Sequence, residues 1–273
     1  IMPFHRWLPA AMVAPTPVSA LLHAVAVVKA GVFSLLKVVI YIFGIDNLKE
    51  LATTDIMLYI ATATILLSSC IAMTKDNLKA RLAYSTISQL SYIVVGALLA
   101  SSIASAGAAL HIATHAFGKI TLFFCAGAIM IASHKKNISD MVGLGRQMPI
   151  TFAAFAIGAV SIIGLPPMAG TWSKWYLTVG ALEADKLIVV AALMISSLLN
   201  IAYLLPIPIR AFFTKPVEGA ESWRWSDTKE APLPVLIALT ITSTGCLALF
   251  FYPQPLIDLI NLIPGVSTNM GEG

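Results

Sequence analysis

Lysine and histidine recur at helical spacing in stretches of this chain that are otherwise apolar. His111, His115 and Lys119 fall at i, i+4 and i+8 inside the run 106–131, which on a helix puts them on one face over about 12 Å of rise. Lys29 sits near the middle of the run 18–43, with His23 about one and a half turns before it and Lys37 two turns after it. Lys174 stands in Gly170-Thr171-Trp172-Ser173-Lys174-Trp175, just past the break Gly164-Leu165-Pro166-Pro167. Imidazole titrates near neutral pH and has two nitrogens that can accept and pass on a proton. Burial disfavours the charged ammonium, so a lysine in such a place can load and unload a proton.

Three readings of the stripe on 106–131 compete: two core histidines hydrogen-bonded for structure, a metal site, and a proton relay. The metal reading is weakened because no carboxylate or cysteine is placed to complete a shell. The relay accounts best for two histidines and a lysine on one face. A lysine at the bilayer centre costs roughly 2.5–3.5 kcal/mol on insertion scales and usually faces the bundle interior. Snorkelling to the interface suits Lys37, towards the end of its run, better than Lys29. The tryptophans beside Lys174 allow an alternative in which that lysine reaches headgroups. Tyr84, Ser85, Ser88 and Gln89 make an unusually hydrophilic span entrance, able to hold water chains or to bond neighbouring helices. All 13 acidic residues lie in loops, at span ends or in the tail. The buried line is therefore wholly basic. Either its lysines are often neutral or their counter-charges lie outside this chain, because an isolated charge in low dielectric is too costly to persist.

What must position these residues is a set of membrane helices. Of 273 residues, 58% are hydrophobic and 11% charged, and the mean hydropathy is +0.87; soluble domains have about 25% charged residues. The expected fold is all-α, a polytopic transmembrane helical bundle. Residues 1–16 read as the remnant of a preceding broken helix and an interfacial entry, residues 17–252 as the transmembrane domain and residues 253–273 as a tail with a short interfacial helix. Within the domain the expected helices are 18–43, 55–73, 82–99, 106–131, a broken one over 149–181, 187–213 and 234–252. Charge decides how often 149–181 crosses. A single broken crossing puts Lys75, Lys79 and Arg81, then Lys135, Lys136 and Arg146, then Lys215, Arg224 and Lys229 on one side, leaving Lys49 and Lys186 opposite. By the positive-inside rule the basic loops are cytoplasmic. That gives about seven crossings of an inner (cytoplasmic) membrane, with one discontinuous helix and the C-terminus on the opposite side. Cys70, Cys125 and Cys246 are far apart in apolar runs and read as small core residues. No metal or cofactor site and no nucleic-acid surface is expected. The opening residues do not resemble a signal peptide, and the chain reads as entered partway through.

Three motifs carry a family resemblance. Trp7-Leu8-Pro9-Ala10-Ala11-Met12 with Ala14-Pro15-Thr16-Pro17-Val18-Ser19-Ala20-Leu21-Leu22-His23 and Lys29-Ala30-Gly31 is the first. Lys79-Ala80-Arg81-Leu82-Ala83-Tyr84-Ser85-Thr86-Ile87-Ser88-Gln89 is the second, and Thr114-His115-Ala116-Phe117-Gly118-Lys119 the third. Together they resemble the antiporter-like subunits shared by respiratory complex I and Mrp-type Na+/H+ antiporters, over residues 1 to about 250. The resemblance implies two inverted repeats, each with a broken helix, of which this chain holds the second. It also implies a proton path through buried lysines, histidines and one glutamate. It makes His23 and Lys29 part of the central relay, His111, His115 and Lys119 the connection to the exit side, and Lys174 the ionisable residue of the broken helix. A full subunit of the family has about fourteen helices, so the resemblance implies a C-terminal half whose partners are the missing N-terminal half, other membrane subunits, lipid, H+ and possibly Na+.

The expected function is a proton- or cation-translocating subunit of a multi-subunit Na+/H+ antiporter, of the Mrp D or A type. That choice rests on the setting of Lys29 and on an end soon after the last span. The alternatives are a proton-pumping subunit of an NADH:quinone oxidoreductase or related membrane-bound hydrogenase, and a purely structural membrane subunit. By itself the chain is not expected to be an enzyme.

Overall fold

The computed structural model describes residues 1–214 and 229–268, the side chains of Pro17 and His23 excepted. Lys215 and Arg224 lie outside the described residues, as does the last part of the tail. Every regular element among the described residues is helical, apart from one isolated bridge between Asn77 and Asn137. After short helical turns over Phe4–Arg6, Trp7–Ala10 and Ala11–Val13, the run 18–43 is not one uniform helix. It comprises Thr16–Ala20, a π stretch Leu21–Val25, the helix α1 (Val27–Lys37) and a second π stretch Val38–Phe43. The wide turns show as bonds from the Ala26 amide to the Leu21 carbonyl (2.9 Å) and from the Gly44 amide to the Val39 carbonyl (3.0 Å). The first π stretch ends at Ala26, whose φ of −93° and ψ of −82° leave helical geometry just before Lys29.

Besides short helical segments over Ile45–Glu50, Ile138–Met141, Leu144–Arg146 and Pro206–Phe213, the remaining helices are α2 (Ala52–Thr74), α3 (Leu78–Leu98), α4 (Ser102–Ser133), α5 (Pro149–Ile163), α6 (Gly170–Glu183), α7 (Leu187–Leu204), α8 (Leu233–Phe251) and α9 (Gln254–Asn261). Asn77 and Ser101 cap α3 and α4 by accepting from the amides of Ala80 (3.1 Å) and Ala104 (3.4 Å). Proline at the first turn starts α5, and Glu230 accepts from the Ile150 and Thr151 amides at its N-terminus (2.6 and 3.3 Å). Among the described residues, the stretches Ala52–Thr74, Ser102–Ser133, Leu187–Phe213 and Leu233–Phe251 are long and apolar enough to cross a bilayer. Helix α4 is the axis of the bundle, packing against α3, α5, α6 and α8. Small residues let it approach α6, where Ala104 and Gly107 lie against Gly180 and Leu177.

The loops sort by end. At one end Leu78 bonds to the Lys136 carbonyl, Gly143 to that of Arg210 and Lys229 to that of Gln147, which joins the loops carrying Lys75, Lys79, Lys135, Lys136 and Arg146. At the other end residues 48–55, 98–103 and 183–186 line one polar cavity. There Lys186 pairs with Asp55 at 2.8 Å, and the hydrogen bond to that carboxylate raises the lysine above its usual pKa. Helix α5 starts at the first end and α6 finishes at the second, so 149–183 passes across the bundle once. Of the three cysteines, Cys125 and Cys246 are buried, but Cys70 is exposed on the outer face of α2 rather than in the core.

The two half-helices meet tightly. A Cβ added at Gly170 would overlap the backbone carbonyl of Ser161 at the end of α5. Gly170→Ala is therefore expected to lower the thermal midpoint of the purified protein, at a cost of about 1–3 kcal/mol typical of overpacking. A scan of intrinsic fluorescence against temperature checks this.

Candidate functional site

The stripe on α4 faces inward along its whole length. Lys119 is 0% exposed, His115 1% and His111 2%, and Lys29 and Lys174 are 7% and 9% exposed. No aspartate or glutamate among the described residues is buried. Lys29 comes to the stripe from α1, where its Nζ contacts His115 Nδ1. Lys174 comes from α6. Its Nζ donates to the Ile163 carbonyl (2.8 Å) and to Ser197 Oγ (3.1 Å), and lies 5.0 Å from the centre of the Tyr92 ring. The Tyr92 ring in turn stacks on His111 at 5.6 Å. Lys119 donates to Ser85 Oγ (2.6 Å) and to the Leu82 carbonyl (3.3 Å) on α3.

The helix break places Lys174. Gly164 takes a φ of +87° at the end of α5, a conformation open to glycine, and a Cβ there would also meet the Lys174 stem. The break leaves the Ile163 carbonyl without an intrahelical donor, and an ammonium at a helix C-terminus is favourably placed for it. Lys174 thus faces the broken backbone and does not reach outward as an interfacial lysine would. Trp172 donates to the Phe250 carbonyl (2.9 Å), while Trp175 is exposed.

Each histidine is held through Nδ1. Ser173 Oγ lies 2.8 Å from His111 Nδ1 and 3.1 Å from the Gly170 carbonyl, and it accepts from Thr114 Oγ1 (3.2 Å). At His115 the partner of Nδ1 is the Lys29 ammonium, which when charged can only donate. Among the described residues neither Nε2 atom has a hydrogen-bond partner, and the two rings are 5.7 Å apart.

The site unites Lys29, His111, His115, Lys119, Lys174 and Ser85. The backbone of His23 lies in the π stretch Leu21–Val25, and its side chain is outside the described residues. Ser88 instead joins a hydroxyl cluster with Ser69 (3.0 Å) and Ser196 (3.4 Å). Gln89 is fully buried, and among the described residues both of its amide atoms lack a partner. Tyr84 is half-buried beneath Lys75, away from Lys119. The structure adds residues not read from the sequence: Thr114, Ser173, Tyr92, Ser197, and the pair Asn200 and Tyr203, whose phenol donates to Ser85 Oγ (2.9 Å). Asn200 in the apolar run 187–213, and Thr114 on the His111 face, were the available signals.

Comparison with known proteins adds the following. The family described as NADH:quinone oxidoreductase/Mrp antiporter, TM, matches residues 1–200. NADH-quinone oxidoreductase subunit N of Desulforudis audaxviator is 34% identical over 270 residues, which is 94% of this chain and 53% of that protein. NAD(P)H-quinone oxidoreductase chain 5 of Synechocystis sp. is 38% identical over 196 residues, 68% of this chain and 28% of that protein. Among solved structures, the Mrp complex from Dietzia sp. DQ12-45-1b shares the fold with a TM-score of 0.84 at 21% identity, over 97% of this chain and 57% of that one. The membrane-bound sulfane sulfur reductase, an archaeal respiratory membrane complex, does so at 0.82 and 24%, over 95% and 51%. The chain thus spans about half the length of the subunit N relative and of both structural neighbours.

Ser173→Ala removes the hydroxyl that meets His111 Nδ1 and Thr114 Oγ1. The variant is expected to lose about 1–3 kcal/mol, the cost of leaving buried groups unpaired. Its ¹⁵N histidine spectrum should show a changed His111 Nδ1 resonance, with that of His115 unmoved.

Proposed function

The chain belongs to the NADH:quinone oxidoreductase/Mrp antiporter transmembrane family, and on that premise we propose that Lys29, His115, His111, Lys119 and Lys174 form a proton relay across its middle. The chain is an all-α, multi-pass integral membrane protein, and its relatives are subunits of multi-subunit membrane complexes. The contact between Lys29 and His115 is the single observation that carries the reading. It joins a buried lysine at a helix irregularity to a buried imidazole whose far nitrogen has no partner among the described residues.

In this reading Lys29 delivers a proton to His115 Nδ1, and His115 releases the one on Nε2. His111 Nε2, the acceptor on the next turn, or Lys119, one turn in the other direction, receives it across a short water bridge. Imidazole relays in this way because it gains a proton on one nitrogen and gives one up from the other. Lys174 and the π-stacked Tyr92 end the line at the broken helix, while Ser85, Tyr203 and Asn200 continue it from Lys119. His23 belongs to the Lys29 end by its place in the sequence. Ser88, Gln89 and Tyr84 support the surrounding helices. The partners are the other membrane subunits and the remaining length of the subunit.

Two couplings follow from different observations. The setting of Lys29 in the sequence favours exchange of Na+ for H+ in an Mrp-type assembly. The names of the curated relatives favour coupling to quinone reduction. Proteoliposomes holding the whole assembly separate them: a pH gradient collapsed by Na+ addition supports the first, and one built by quinone reduction supports the second.

For the relay itself, Lys29→Ala and His115→Ala are each expected to cut proton flux at least about 100-fold, as lost proton-transfer groups typically do. The double variant should be no slower than either single one, since both interrupt one path. Subunit assembly, read by size-exclusion chromatography, should persist. Near-normal flux in both single variants would leave the structural-subunit reading standing.

A further inference from the structure

At the end of the bundle with the basic loops, a cavity of about 500 Å³ opens between the segment 12–16, the start of α3 and the end of α4. Its walls are largely apolar, with Met12, Val13, Met130 and Ile131 among them, and Lys79, Lys135 and Lys136 bring three ammonium groups to it. Among the described residues no carboxylate lines it. Lys79 is held in place by donating to the Ala14 carbonyl (2.8 Å), and Lys136 is near enough for the two charges to repel. Asp76, next to the cavity in sequence, is committed elsewhere: its two carboxylate oxygens accept from the Ser139 amide (3.0 Å) and hydroxyl (2.7 Å).

The position of this cavity limits what fits it. Lys79 lies one residue into α3, and Lys135 and Lys136 follow α4, which is long enough to cross a bilayer, by two and three residues; all three therefore lie at one end of the bundle, where the headgroups of a surrounding bilayer would be. Met130 and Ile131, in the last turn of α4, supply apolar wall to the same cavity. A ligand that satisfies both parts carries an anionic phosphate at one end and an acyl chain at the other. Basic pockets between membrane helices recognise lipids by this pairing.

We propose that this cavity is a binding site for an anionic phospholipid. Its phosphate is held by Lys79, Lys135 and Lys136, and an acyl chain lies along Met130 and Ile131. Bound there, the lipid ties the segment 12–16 to α3 and α4. The proposal rests on the chain spanning a membrane and is independent of the relay.

The test uses the assembled complex in nanodiscs of phosphatidylcholine containing a minor fraction of phosphatidylglycerol, with retained lipid counted by native mass spectrometry. The parent protein is expected to retain phosphatidylglycerol over phosphatidylcholine. The double variant Lys135→Gln/Lys136→Gln should lower that preference by about 30-fold, the two lysines contributing roughly 1 kcal/mol each at an anionic surface. Met130→Trp, which fills the cavity and leaves every lysine in place, should also lower retention. Equal retention in all three proteins overturns the proposal, because it means that another part of the assembly covers the site. Displacement of the lipid by inorganic phosphate overturns it too, because it marks a site for the free anion.

Discussion

The arrangement turns on one constraint: five basic side chains are buried in a region where no described carboxylate is buried with them. An ammonium in low dielectric needs donors' counterparts, and without carboxylates these must be carbonyls, hydroxyls or imidazole. Each buried lysine meets the need in its own way. Lys174 uses the Ile163 carbonyl freed by the helix break, Lys119 uses Ser85 and the Leu82 carbonyl, and Lys29 uses His115. The break over 164–169 is therefore more than an interruption in a span. It supplies the backbone acceptor that makes a buried lysine tolerable, and the surrounding protein satisfies the rest, as when Ala169 bonds to the Cys246 carbonyl of α8 (2.9 Å).

The same constraint explains which parts could be read from the sequence. The stripe of His111, His115 and Lys119 was legible because α4 is a regular helix, and spacing alone fixes a shared face. The proline-glycine break near Lys174 was legible from residue types that end helices. Membership of the family was legible in its motifs. Spacing says nothing, however, about partners across helices. That Lys29 meets His115, 86 residues away, depends on how α1 leans on α4. Ser173 looked like any small polar residue, although its hydroxyl meets both His111 and Thr114.

The irregular geometry before Lys29 was hidden for a related reason. Leu21-Leu22-His23-Ala24-Val25 contains no proline or glycine, so nothing in it marks a π stretch. The wide turn inserts one residue into the helical register, and every side chain after it is rotated relative to a regular helix. A uniform helix over 18–43 would point Lys29 in a different direction from the one observed. Here local sequence preference is weak and packing against α4 decides.

The two histidines differ in what meets their Nδ1 atoms. For His111 it is Ser173, a neutral hydroxyl that can give or take a hydrogen bond, and for His115 it is the amine of Lys29. A charged ammonium can only donate, whereas a neutral amine also has a lone pair that accepts. In the proposed relay the protonation state of Lys29 therefore sets whether His115 Nδ1 must accept or is free to donate, and no comparable constraint acts on His111 from its serine.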